Sequence, residues 1–164
     1  FGVNETVREY VRLTQELDAR DTPVVLVLFG DHKPWMGNGG SVYEEMGIDF
    51  DTSTLAGFRN YYATPYLIWA NRAAKEVLGA DFTGDGGDFS PCFLMTRLFD
   101  ACGWAGPGYM QLSRAMRDIS PLLHTNGLFL HDGVLTSVLS DTDRSFYRSW
   151  LAVQYYREHV AAYS

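Results

Sequence analysis

Six apolar residues in a row, Val24-Val25-Leu26-Val27-Leu28-Phe29, end at Gly30, and the glycine hands over to Asp31 and His32. No other segment restricts the fold as strongly. A continuous apolar and β-branched run of this length predicts a strand covered on both faces, the pattern of a parallel sheet in an α/β protein. In open α/β sheets, sites lie just beyond the carboxyl ends of the strands. Asp31 and His32 stand at that position. A carboxylate oxygen and an imidazole nitrogen make half a ligand shell for Zn²⁺ or Mn²⁺. The plainer alternative is that Asp31 caps a turn and His32 faces solvent.

The segments around the run extend the α/β reading. Asn4 to Arg20 is predicted helical, with Val7, Val11, Leu13, Leu17 and Ala19 as a loose apolar stripe. Asp21-Thr22-Pro23 breaks that helix and feeds the strand. A helix before a buried strand is half of a βαβ unit whose first strand would precede Phe1. Lys33 to about Asp51 is expected to be a long irregular loop of the functional kind, and its glycines fit no nucleotide-binding pattern. Ser53 to Tyr62 reads as a short helix, Tyr66 to Ala70 as a second covered strand, and Asn71 to Leu78 as a turn or helix.

The second half is mostly helical. Ser90 and Pro91 open a helix that Gly103 stops, and a second helix spans about Pro107 to Ile119. Leu128 to Leu135 is a weak strand or a hairpin around Asp132-Gly133, and a last helix runs from Asp141 or Asp143 to about Ala161. A parallel sheet of two strands is not stable alone. The chain opens at Phe1 without a methionine and is expected to be part of a longer protein, one partial domain over 1–164. Its truncated sheet edge would then pair with further strands or with a second copy.

Charge excludes one class of partner. The chain carries 13 Lys and Arg against 20 Asp and Glu, a net charge of −7, whereas a polyanion needs a basic face. Nucleic acid is therefore not an expected partner. No stretch approaches the ~20 apolar residues of a membrane span, and no segment of the given sequence is expected to act as a signal peptide.

The remaining candidates have bland readings. His131-Asp132 precedes Gly133 and reads as a solvent-facing hairpin turn, while His124 and His159 are isolated and structural or on the surface. Asp85 and Asp88 lie in a turn-rich loop without EF-hand spacing. Tyr61, Tyr62, Tyr66 and Trp69 could line a sugar or lipid-headgroup pocket, but such residues more often form core and rim. Cys92 and Cys102 on one helix would be roughly 15 Å apart, too far for a disulfide, and are expected to be buried free thiols. No serine or threonine has the G-x-S-x-G context of a nucleophile.

Several segments in order along the chain carry a family resemblance. Val24 to His32 followed by Lys33-Pro34 resembles the strand-Gly-Asp-His-x-Pro segment of the lipoteichoic acid synthase-like sulfatases, in the alkaline phosphatase superfamily. Tyr61-Tyr62-Ala63-Thr64-Pro65-Tyr66-Leu67-Ile68-Trp69-Ala70-Asn71 is similar to that family's Y-x-T-P-x-x-I-W-x-N strand, and Ser90-Pro91 through Gly103 is similar to the helix after it. Tyr147 to Tyr156, with Leu151 and Gln154-Tyr155, resembles the C-terminal helix. The likeness runs from about residue 10 to the end.

The resemblance implies the C-terminal portion of a sulfatase-like fold, a mostly parallel sheet flanked by helices. It implies a membrane-anchored parent with an extracellular catalytic domain that transfers phosphoglycerol or a related headgroup from a lipid-linked or glycan substrate. Such domains hold one divalent metal, usually Mn²⁺, with Zn²⁺ or Mg²⁺ as alternatives, through Glu, Thr, Asp and His. Asp31 and His32 match the last two ligands. The Thr nucleophile, the Glu and a substrate-binding His are expected upstream of residue 1, and Thr22, Thr52 and Thr54 take no such role. The segment alone would then be catalytically inactive. Two other readings stand beside this one: a sulfatase or phosphodiesterase hydrolase of the same superfamily, and a non-catalytic binding domain.

Overall fold

A computed structural model describes residues 2–160. The architecture is mixed α/β. In chain order it comprises α1 (Gly2–Asp18), β1 (Val25–Phe29), α2 (Ser41–Glu45), α3 (Leu55–Tyr62), β2 (Tyr66–Ala70) and α4 (Arg72–Leu78). There follow α5 (Leu94–Ala101), α6 (Gly108–Ile119), β3 (Leu123–His124), β4 (Leu128–His131), β5 (Val134–Thr136) and α7 (Asp141–His159). Ala161, the expected end of the last helix, lies outside the described residues.

The first sheet departs from the parallel expectation. β1 and β2 pair antiparallel, with Val25 opposite Ala70 and Phe29 opposite Tyr66. β2 therefore starts beside the end of β1. There the Gly30 amide donates to the Pro65 carbonyl at 3.0 Å, and the Thr64 hydroxyl donates to the Gly30 carbonyl at 2.7 Å. A parallel partner would require the connection to cross back to the amino end of β1. Residues 31–65 instead stay at the carboxyl end, and an apolar run reports burial, not direction. Burial also falls short of the expectation. Val25, Leu26 and Val27 are half-buried, and Phe29 is 55% exposed, because β2 is the one strand paired with β1 among the described residues. On α1 the expected stripe likewise stays open at Val7, Val11 and Leu13, while Tyr10, Thr14 and Leu17 are the half-buried positions.

The core sits in the second half. Phe93, Met116 and Trp150 are buried against one another, surrounded by residues of α6, α7 and the loop before α5. The Trp150 indole N–H is satisfied inside this core by the Ser113 hydroxyl at 3.0 Å. α5 ends as Gly103 suggests: Gly103 takes φ +68°, and Trp104 N–H reaches back to Phe99 carbonyl at 2.8 Å. The α7 start is also local, since the Ser140 hydroxyl accepts from Asp143 N–H and donates to its carboxylate. Asp132 and Gly133, both at positive φ, form the two-residue turn between β4 and β5. Cys102 is buried as expected, but Cys92 is exposed in the 3₁₀ turn before α5; both are free.

The expected loop after His32 contains structure. A 3₁₀ turn at Asn38–Gly40 leads into α2, entered through Gly40 at φ +82°, and brings Tyr43 onto Phe50. α3 is capped by the Thr54 hydroxyl, which accepts from Gly57 N–H at 3.0 Å. Gly57 is the tightest position here, because a Cβ would overlap the Asp51 carbonyl. Gly57→Ala should therefore destabilise the chain by about 2–3 kcal/mol, the usual scale for overpacking, against the small gain alanine brings to an open helix. A urea melt at the wild-type midpoint or above it would refute this.

Candidate functional site

The site is built at the carboxyl end of β1. Gly30 is held between Pro65 and Thr64, and a Cβ there would lie 3.0 Å from the Thr64 Cβ. The missing side chain lets the β1 and β2 backbones close on each other where the chain bends away. Immediately after the bend, Asp31 Oδ1 accepts from the His32 amide at 2.8 Å, which folds the carboxylate back over the next residue. Asp31 Oδ2 then lies 3.4 Å from His32 Nε2. On the other side of the ring, His32 Nδ1 is 2.9 Å from the Lys33 carbonyl.

That last contact assigns the tautomer. A carbonyl can only accept, so the proton sits on Nδ1, and in the neutral ring the Nε2 lone pair faces the carboxylate. Asp31 Oδ2 and His32 Nε2 are then both lone-pair donors, the kind of atom a divalent ion takes as ligand. The donors also suit an ion by spacing, because two ligands each about 2.1 Å from a common tetrahedral ion stand about 3.4 Å apart. Both side chains are open to solvent, 81% and 77% exposed, so the pair itself contributes little to stability. Among the described residues no third His, Cys, Asp or Glu joins them. The geometry is half a shell.

Asp31 and His32 line a cleft of about 400 Å³. Its wall is aromatic: Trp35, Tyr43, Phe50, Tyr61 and Tyr62. The rings contact in series, Tyr43 to Phe50 at 5.0 Å, Phe50 to Tyr61 at 5.4 Å and Tyr61 to Tyr62 at 4.7 Å between centroids. Lys33 lines the same cleft, with its ammonium donating to the Asn60 carbonyl and lying 6.0 Å from the Phe50 ring centre. The Tyr43 hydroxyl donates to the Pro34 carbonyl at 2.7 Å, which ties α2 to the segment after His32.

The expected aromatic cluster is divided by the fold. Tyr61 and Tyr62 face the cleft, whereas Tyr66 packs on Phe89 at 4.8 Å and Trp69 is half-buried in β2. Trp35, Tyr43 and Phe50 were not legible as part of a site, because their sole signal is aromatic residues in a glycine-rich stretch. The other histidines have structural partners. His124 packs on Tyr62 and Phe58, His131 Nδ1 reaches the Ile119 carbonyl at 3.1 Å, and His159 stacks on Tyr155. Asp85 accepts from Gly87 N–H within its loop, and Asp88 pairs with Arg59 of α3.

No family model, curated protein or solved structure matches this chain. Among the described residues no helix is long and apolar enough to cross a membrane.

Proposed function

We propose that this chain is the C-terminal portion of a metal-dependent phosphoglycerol or related headgroup transferase of the alkaline phosphatase superfamily, with Asp31 and His32 as two ligands of its divalent ion. The observation that carries the reading is the convergence of Asp31 Oδ2 and His32 Nε2 at 3.4 Å beyond the end of β1. Mn²⁺ is the preferred ion on the family resemblance, with Zn²⁺ or Mg²⁺ as alternatives. When bound, such an ion offsets charge on phosphoryl oxygens and lowers the pKa of a coordinated hydroxyl. The chain's own residues prepare the site. Gly30 provides the bend, the Lys33 carbonyl holds the His32 proton on Nδ1, and the His32 amide orients the Asp31 carboxylate.

The remaining ligands and the Thr nucleophile belong to a preceding part of the protein in this reading. So do the strands that would extend the antiparallel pair into a mostly parallel sheet, joining the free edge of β1; a second copy is the other occupant of that edge. The parent would be membrane-anchored with this domain on the extracellular face, acting on a lipid-linked or glycan phosphoglycerol-type substrate. A hydrolase differs only in using water as acceptor. A non-catalytic binding domain would have no ion to hold.

Thermal unfolding of the full-length protein's extracellular domain tests the metal. An ion that binds only the folded state at 100-fold above its Kd adds about 2.7 kcal/mol, which corresponds to about 5–10 °C in Tm for a domain of 150–250 residues. Mn²⁺ should raise the Tm by that order relative to EDTA, and Asp31→Ala should remove most of the rise. A Tm indifferent to Mn²⁺, Zn²⁺ and Mg²⁺ favours the binding domain and ends the transferase reading.

A further inference from the structure

We propose that the aromatic cleft beside Asp31 and His32 binds a neutral sugar residue. Its use as the acceptor for the transferred headgroup rests on the transferase reading; the binding itself does not.

Three observations carry the sugar. The first is incomplete burial. Of Trp35, Tyr43, Phe50, Tyr61 and Tyr62, none is buried, and Trp35 is 69% exposed. Phe93 and Trp150, by contrast, are buried in the core. Five aromatic rings that line one cleft and stay wholly or partly open to solvent form an apolar surface that a ligand can cover. The second is the chemistry of the wall. Aromatic faces carry partial negative charge, and the C–H faces of a pyranose ring carry the complementary partial positive charge, so sugar rings stack on such walls. The Asp31 carboxylate and the tyrosines of the lining carry polar groups that can pair with sugar hydroxyls.

The third observation is charge, which separates a sugar from a phosphate headgroup. Among the residues lining the cleft the one Lys or Arg is Lys33, and its ammonium is engaged by the Asn60 carbonyl and set against the Phe50 ring. Asp31 adds a negative charge to the lining. A phosphate would find an acidic, mostly aromatic wall in a chain of net charge −7. A polyhydroxylated neutral ring meets no such repulsion. The volume, about 400 Å³, lies within the span usual for small-molecule sites.

Saturation-transfer NMR on the chain in EDTA tests the site without metal. The probes are a neutral disaccharide, cellobiose, and glycerol 1-phosphate. Transfer to the cellobiose ring protons is expected, with none to glycerol 1-phosphate. Trp35→Ala should cut the cellobiose signal at least fivefold, whereas Trp104→Ala, an exposed tryptophan packed on Phe99 away from the cleft, should leave it within a factor of two. No transfer, equal transfer in Trp35→Ala, or binding of glycerol 1-phosphate in place of the sugar would each overturn the proposal. A sugar signal in a protein whose Tm ignores divalent ions keeps the sugar site and removes its acceptor role. A Tm raised by Mn²⁺ without sugar transfer does the reverse.

Discussion

Asn71→Ala is expected to lower the unfolding free energy by about 3–5 kcal/mol, among the largest effects a single substitution produces. Asn71 is fully buried at the junction of β2 and α4, and its one amide serves three elements. Its Oδ1 accepts from Ala74 N–H at 2.9 Å, which caps α4, and from Val24 N–H at 2.9 Å, which fixes the start of β1. Its Nδ2 donates to the Leu17 carbonyl at 3.0 Å and the Thr22 carbonyl at 2.9 Å, with a longer contact to Arg20 at 3.3 Å. These bonds close the loop between α1 and β1.

Alanine would lose the cap, worth about 1 kcal/mol, and would strand buried N–H and C=O groups at about 1–3 kcal/mol each where water cannot reach them. Asn71→Asp keeps the acceptor but sets a buried carboxylate oxygen against the Leu17, Arg20 and Thr22 carbonyls, so it should cost at least as much as alanine. Urea denaturation measures both variants. A loss under 1 kcal/mol for the alanine variant would mean that water replaces the amide and that the junction is not sealed.

The second large effect concerns chemistry rather than stability. On the transferase reading proposed above, Asp31→Ala and His32→Ala in the full-length protein should each reduce Mn²⁺-dependent headgroup transfer by on the order of 10²–10³-fold, the scale on which removing one electrostatic contact from a transition state acts. Their Tm in EDTA should stay within about 1 °C of wild type, because both side chains are largely exposed and belong to no core cluster. The two readouts separate the roles. A structural Asp-His pair would move the Tm and spare the activity of correctly folded protein. Turnover at wild-type levels in either variant would remove Asp31 and His32 from the metal site.

Most helix and turn positions, α2 excepted, were legible because their signals are local. Ser140 and Asp143 cap each other across one turn, Gly103 ends α5 at positive φ, and Asp132-Gly133 closes the β4–β5 hairpin. Each is decided by dihedral preferences and hydrogen bonds within a few residues. The bend that presents Asp31 and His32 was legible for the same reason, as a glycine at the end of an apolar run.

The direction of β2 was decided only by the tertiary structure. Alternation and apolarity say which faces a strand can bury, but direction depends on where the connecting segment ends, here beside Gly30 through Pro65 and Thr64. The cleft needed the fold as well: Trp35, Tyr43, Phe50, Tyr61 and Tyr62 share no periodicity, and they meet because α2 and α3 return to the end of β1. Asn71 is the clearest case. By itself it reads as a helix cap, and its long-range partners, Leu17, Arg20, Thr22 and Val24, exist only once α1, β1 and β2 are assembled. Local sequence determines the conformation each segment prefers; the contacts between segments determine which surfaces those conformations bring together.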